Sequence, residues 1–223
     1  MLLAAGAGTR LRPLTYETPK PMVPIVNRPV IHHVLDNLLK HGVQEVMVNL
    51  HALPEQVRGY CGDGSRWSLK LSYSLEPKLL KLKKPIFAYE LDSYWCDVGN
   101  LPEYRRCQID CLDRKAKINI PGVEVRKGVW VQEGTVIDPK ARLIPPVVIG
   151  KGGRVAAGAK VGPYSVIGDR AQIGSGANLE RCILFDNVTV GAGVSLNNCI
   201  IGPNGHVKEN ISVYEAAVLN IRQ

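Results

Sequence analysis

Leu2-Leu3-Ala4-Ala5-Gly6-Ala7-Gly8-Thr9-Arg10-Leu11-Arg12-Pro13-Leu14-Thr15, followed by Pro19-Lys20-Pro21, is the stretch that decides how the first half of this chain folds. The apolar opening reads as a buried strand over residues 2–5 that breaks directly into a glycine-rich turn. Glycine tolerates φ > 0 and carries no Cβ, so at Gly6 and Gly8 the backbone N–H groups can approach an anion closely. Arg10 and Lys20 add positive charge around the turn. Strand, glycine-rich turn and flanking cations together make a cradle for a polyphosphate. The pattern is not GxxxxGK[ST], which needs a lysine at its end, nor GxGxxG, because Leu11 replaces the last glycine.

Outward from this stretch, residues 6–28 read as the loop and residues 29–41 as a helix begun by Pro29. Val30, Ile31, Val34, Leu35, Leu38 and Leu39 give that helix an apolar stripe, and Gly42 ends it. A second strand follows from Val43 to Leu50, then a short helix from Leu53 to Tyr60 and a third strand from Leu69 to Tyr73. Strand, helix, strand, helix, strand predicts a Rossmann-like α/β domain with a doubly wound parallel sheet. Its ligand is expected at the carboxyl end of the first strand.

The second half announces itself by period. Val125, Val131, Ile137, Leu143, Ile149, Val155, Val161, Ile167, Ile173 and Leu179 recur every six residues. A shortening by one residue leads to Leu184, Val190 and Leu196, and a second to Ile201, Val207, Val213 and Leu219. Glycine follows the aliphatic position at Gly150, Gly162, Gly168, Gly174, Gly191 and Gly202. Small residues precede it by two at Thr135, Ala141, Gly153, Ala159, Ser165, Ala171 and Ala177. This is the hexapeptide repeat of a parallel β-helix over residues 118–223, about five coils of it, with the aliphatic side chain inside and glycine permitting the corner. A β-sandwich with regular turns would not hold the period through ten consecutive positions.

The 223 residues leave room for one large or two modest domains, and 45% hydrophobic with only 6% aromatic residues describes a globular chain rich in small residues. The formal charge of +8 suits anionic substrates. Basic and aromatic residues do not interleave as in a single-strand binding platform, so nucleic acid is not an expected partner. Cys61, Cys96, Cys107, Cys111, Cys182 and Cys199 form no CxxC and no zinc spacing; Cys107 and Cys111, one helical turn apart, read as core thiols. The opening is too short for a signal peptide and no run approaches a membrane span. The expectation is a cytoplasmic chain with reduced thiols and no membrane contact.

Residues 3–24 resemble the signature of the sugar-1-phosphate nucleotidyltransferases: a strand, then G-x-G-T-R-L-x-P-L-T, then P-K-P. Tyr94-Trp95-Cys96-Asp97-Val98-Gly99-Asn100, leading into a helix from Leu101 to about Leu112, is similar to the W-x-D-[VT]-G with which that family closes its catalytic domain. The resemblance places a nucleotidyltransferase domain over residues 1–112. It implies a nucleoside triphosphate on Ala4, Ala5, Gly6, Gly8, Thr9 and Arg10, and Lys20 at the α-phosphate. It makes Asp97 a ligand of Mg²⁺, an ion held by one or two carboxylates together with phosphate oxygens. The hexapeptide half resembles the left-handed β-helix family, a handedness that overrides the usual right-handed crossover.

Glu76 stands where the family contacts the base. A carboxylate accepts from guanine N1–H and N2–H, or from N3–H of another base. The chain looks most like the mannose-1-phosphate guanylyltransferases, with uridylyl- and thymidylyltransferases left open. The resemblance also shows a gap. After Glu76-Pro77 the family continues through a long middle segment, including its other metal aspartate and its sugar-phosphate motifs, which does not occur here. The junction falls near residues 79–82. Either the whole protein carries a stretch that this sequence omits, or the deletion is genuine and a non-catalytic regulatory subunit results. Acyl transfer, the other chemistry of hexapeptide proteins, needs a positioned histidine base. His206 near the chain end is the one histidine past residue 51, and His32, His33, His41 and His51 read as surface or packing residues. Open coil ends of the β-helix predict a homo-oligomer.

Overall fold

The apolar opening forms β1 (Leu2–Ala4) in the computed structural model, which describes residues 1–75, 94 and 96–218. Two compact units divide between Cys107 and Gln108. In the first, a two-residue hairpin of β2 (Pro24–Ile25) and β3 (Arg28–Pro29) leads to α1 (Val30–Lys40), β4 (Glu45–Leu50), α2 (Pro54–Cys61) and β5 (Lys70–Leu75). β4 lies between β1 and β5, all parallel, with Val48 opposite both Leu2 and Tyr73. Parallel neighbours cannot be joined by a tight turn, so α1 and α2 make the crossovers. Val46, Val48 and Leu50 alternate onto the face that packs against Ile31, Leu35, Val57 and Trp67.

Several expected boundaries move, and the second strand starts at Glu45 and not at Val43. Residues 6–28 are not a plain loop: 3-10 turns at Thr9–Leu11 and Lys20–Met22 and the hairpin order them around buried Leu11, Leu14, Val23 and Ile25. Pro29 precedes α1 instead of opening it, because it is extended (ψ 145°) and pairs with Pro24. Leu53 sits outside α2 in a left-handed conformation (φ 45°), and Pro54 takes the first helical position, where a missing N–H costs nothing. The third strand starts one residue later than the periodicity suggests and runs to Leu75.

α3 (Leu101–Leu112) follows, started by Asn100, whose Oδ1 accepts the Glu103 N–H at 2.9 Å. In the second unit β6 (Val123–Arg126) turns back antiparallel on β7 (Val129–Val131). Val125, expected to open the hexapeptide series, is therefore not in it: it lies at a register shift of β6 and is 59% exposed. The bulge and the neighbouring charges blunt this sheet edge.

From β7 onward the chain winds through three parallel sheets, as the period predicts. Val129, Val147 and Ser165 stack at intervals of eighteen residues, whereas Ile183 and Ile200 stack at seventeen. The interior positions from Ile149 to Leu179, and then Leu184, Val190, Leu196 and Ile201, are each at most 3% exposed. Leu219 lies outside the described residues. The residue lost per coil comes from one corner, where Arg181 and Asn198 adopt φ of 52° and 55°. Buried Cys182 and Cys199 fill that corner, their Sγ atoms donating to the Glu180 and Asn197 carbonyls. The hydrogen bond with the Cys199 thiol, and after it burial, push the Cys182 thiol up from its ordinary pKa, and none of the six cysteines forms a disulfide.

The repeat glycines serve close stacking more than corner geometry: a Cβ on Gly168 would lie 2.5 Å from the Phe185 carbonyl carbon of the next coil. On the first sheet the outward residues Val148, Val166, Ile183 and Ile200 are buried too. This explains the apolar doublets there, whereas outward Arg142, Arg154, Lys160 and Gln172 on the other two faces are exposed. Among the described residues no helix is long and apolar enough to cross a membrane.

Candidate functional site

β1 and β4 end side by side, Ala4 opposite Leu50, so the glycine-rich turn leaves the sheet at its carboxyl edge. Gly8 is left-handed (φ 63°, ψ 25°), and its carbonyl accepts both the Leu11 N–H (2.9 Å) and the Thr15 hydroxyl (2.7 Å). Buried Leu11 and Leu14 pin the turn to the core. Gly6 differs from the sequence reading: its φ is not positive, and a Cβ there would meet nothing within 4 Å. The chain's own conformation therefore demands glycine only at Gly8, where a Cβ would lie 2.9 Å from Thr15 Cγ2. Among the described residues, the backbone N–H groups of Gly6, Ala7, Gly8, Thr9 and Arg10 donate to no protein acceptor. A run of such free amides is a concave anion receptor.

The charged groups converge from far apart in sequence. Asp97, in the segment before α3, lies 3.7 Å from Arg10 Nη2 and 3.4 Å from Lys20 Nζ. These are long contacts: Arg10 is largely exposed, Lys20 is half-buried, and the carboxylate is 37% exposed. Gly99 makes the arrangement possible, since a Cβ there would stand 2.6 Å from Asp97 Oδ2. Ala4 is 9% exposed beneath the turn and Ala5 is half-buried. Glu76 lies outside the described residues. Thr15 and Gly99 were visible only as motif letters; their structural roles come from contacts across the chain. Asn49 gave no sequence signal beyond a polar residue ending an apolar strand. It is 2% exposed, and among the described residues its Nδ2 has no hydrogen-bond partner.

Among the described residues no three His, Cys, Asp or Glu side chains gather to hold a metal by themselves. A single accessible carboxylate such as Asp97 would suit Mg²⁺ beside a polyphosphate, with phosphate and water oxygens taking the other positions. His206 stands exposed on the β-helix, on a strand paired with Thr189.

The histidines of α1 do more than pack. His32 Nδ1 lies 2.8 Å from the Tyr60 hydroxyl, and Trp67 Nε1–H donates to Asp36 at 2.9 Å. His33 Nε2 reaches the Ile25 carbonyl at 2.9 Å. Burial lowers both imidazole pKa values from 6.5. Arg28 lowers both further, Arg66 also lowers that of His32, and Asp36 partly opposes the shift in each. Below pH 6.5 the unfolded chain takes up protons that folded His32 and His33 resist, so this share of stability, present above that pH, is lost on acidification. The midpoint of thermal unfolding should fall between pH 7 and pH 5, and a His32→Asn, His33→Gln variant should show a shallower fall.

A parallel-sheet domain with a glycine-rich turn and two cations at its carboxyl edge, joined to a hexapeptide β-helix, is the class of protein these features define. Residues 1–90 match the family model described as Nucleotidyl transferase, and residues 120–222 the one described as EIF2B subunit epsilon LbH domain. Residues 1–90 are thus similar to the sugar-1-phosphate nucleotidyltransferases. Among its relatives is a UTP--glucose-1-phosphate uridylyltransferase of Synechocystis sp., 44% identical over 36% of this chain and 21% of its own length. A glucose-1-phosphate thymidylyltransferase of Streptomyces griseus is 38% identical over 37% of this chain and 23% of its own. A mannose-1-phosphate guanylyltransferase of Mycobacterium tuberculosis is 37% identical over 34% of this chain and 21% of its own. The chain spans about a fifth to a third of the length of the curated relatives it matches.

Proposed function

We propose that this chain, as part of a whole protein that carries the middle segment this sequence omits, takes part in transfer of a nucleotidyl group from a nucleoside triphosphate to a sugar 1-phosphate, giving a nucleoside-diphosphate sugar and pyrophosphate. One observation carries the reading: the free amides of Gly6–Arg10, the two cations and the Asp97 carboxylate meet at the carboxyl edge of a parallel sheet. The sugar-phosphate oxygen attacks the α-phosphorus in line, a P–O bond forms, and the bond to the β-phosphate oxygen breaks. The residues act by positioning and charge neutralisation. The turn amides and Arg10 hold the β- and γ-phosphates, and Lys20 takes the charge that grows at the α-phosphate. Both cations then leave Asp97, whose carboxylate becomes available. Mg²⁺ held there would neutralise phosphate charge and orient the triphosphate.

The base we favour is guanine, because the Glu76 carboxylate can accept from N1–H and N2–H together, and the sugar phosphate is mannose 1-phosphate. A uridylyl transfer is the second reading, favoured by the 44% identical uridylyltransferase. Pyrophosphate release measured with Mg²⁺, GTP, UTP or dTTP, and mannose or glucose 1-phosphate separates them. GTP with mannose 1-phosphate is expected to be fastest, and Glu76→Gln should change nucleotide preference about tenfold with less effect on maximal rate. A higher rate with UTP selects the second reading. A folded protein releasing no pyrophosphate from any of the three ends the enzyme reading and leaves a non-catalytic regulatory subunit. The β-helix is proposed to assemble copies of the chain, and a monomer by sedimentation at micromolar concentration would refute that. The proposed compartment is the cytoplasm.

A further inference from the structure

We propose that Thr15 is a positioning residue of the phosphate cradle: it locks the Gly8–Thr9 peptide so that the Thr9 N–H faces the incoming anion. The inference rests on the phosphate-binding reading above. The carbonyl of Gly8 points toward the protein side of the turn, where it accepts the Leu11 N–H at 2.9 Å and the Thr15 Oγ1–H at 2.7 Å. In a planar trans peptide the C=O and the following N–H point in opposite directions. Fixing the Gly8 oxygen inward therefore fixes the Thr9 N–H outward, and among the described residues that N–H donates to nothing.

The backbone turn alone would hold this peptide by a single 3-10 bond, which is a weak constraint at an exposed, glycine-containing loop. Thr15 adds a second bond from seven residues away. Its neighbour Leu14 is 2% exposed, so the hydroxyl is anchored to the core and not to the loop it steadies. The methyl group contributes as well. A Cβ on Gly8 would meet Thr15 Cγ2 at 2.9 Å and Lys20 Cβ at 3.3 Å. Thr15 and the stem of Lys20 thus close one side of Gly8, and only the opposite side is left for a phosphate. Thr15 touches no ligand itself; it acts through the peptide it holds.

Titration calorimetry of the full chain with Mg²⁺ and tripolyphosphate, and with GTP and UTP, tests this on wild type, Thr15→Val and Thr15→Ser. Valine keeps the shape and deletes the hydroxyl, whereas serine keeps the hydroxyl and deletes the methyl. Thr15→Val should bind tripolyphosphate and the triphosphates about tenfold more weakly. Thr15→Ser should stay within about twofold, because the bond to Gly8 survives. Where turnover is measurable, Thr15→Val should raise KM for the triphosphate and leave KM for the sugar phosphate unchanged. A general loosening of the fold would move both. If valine at this site prevents folding, Thr15→Ala against Thr15→Ser gives the same contrast. Equal binding by wild type and the hydroxyl-free variant overturns the proposal and leaves the phosphate reading standing. So does equal weakening by serine and valine. A wild-type chain that binds none of the three probes overturns the phosphate reading and this proposal with it.

Discussion

Alanine at Asp97 should lower the rate of pyrophosphate release by about two to three orders of magnitude, and alanine at Arg10 by a similar factor, while secondary structure and assembly stay intact. Phosphoryl transfer asks the protein for little beyond holding charges where they develop, so deleting one of three charges at the reacting phosphates removes a large part of the catalytic effect. The two variants differ in a way that identifies each role. Arg10, 72% exposed on the turn, should affect triphosphate binding as well as turnover. Asp97 variants should bind the triphosphate itself with little loss, since removing the carboxylate releases both cations, but should lose the dependence of the rate on Mg²⁺ concentration. Stopped-flow or coupled pyrophosphate assays across a magnesium series read both quantities. Full activity in Asp97→Ala would reject the metal assignment.

Leu184→Ala should destabilise the β-helix by about 2–5 kcal/mol, the range for a large buried aliphatic residue cut to alanine where the surroundings cannot close the cavity. Leu184 is 1% exposed and lies between Ile167 and Ile201 of the adjoining coils. In a stacked repeat each coil rests only on its neighbours, so one interior void weakens two interfaces at once. Gly168→Ala offers the opposite test, because it adds a methyl carbon 2.5 Å from the Phe185 backbone instead of removing atoms. It should cost at least as much as Gly176→Ala, where the left-handed φ of 68° is strained but nothing lies within 4 Å. Urea unfolding followed by circular dichroism ranks the three. A Gly168→Ala variant as stable as wild type would show that the coils can separate locally.

Much of this architecture was legible in the residue order because its local periods are strong. The six-residue spacing needs no partner to be recognised, and it predicted the parallel β-helix, about five coils of it, and both one-residue shortenings. The alternation at Val46, Val48 and Leu50, with helical stripes between strands, likewise predicted the parallel sheet. The spacing overreached at Val125, where the chain reverses into an antiparallel cap, because a period says nothing about the point at which the coil begins. The residue order also singled out the glycine turn, Arg10, Lys20 and Asp97, whose charged groups the fold brings together.

Only the tertiary structure decided how those members meet. Asp97 follows Lys20 by 77 residues, and no local rule places its carboxylate 3.4 Å from that ammonium. Of the two turn glycines, the fold requires Gly8 and not Gly6, since the requirement comes from Thr15 and Lys20 packed against one of them. Gly99 matters for a carboxylate two residues earlier that folds back over it, and Asn49 is a buried unpaired donor only because of what surrounds its strand. Periodic patterns reflect contacts repeated along the backbone and can be read from one strand of residues. A site is a set of single contacts between distant segments, and its geometry exists only once the chain has closed on itself.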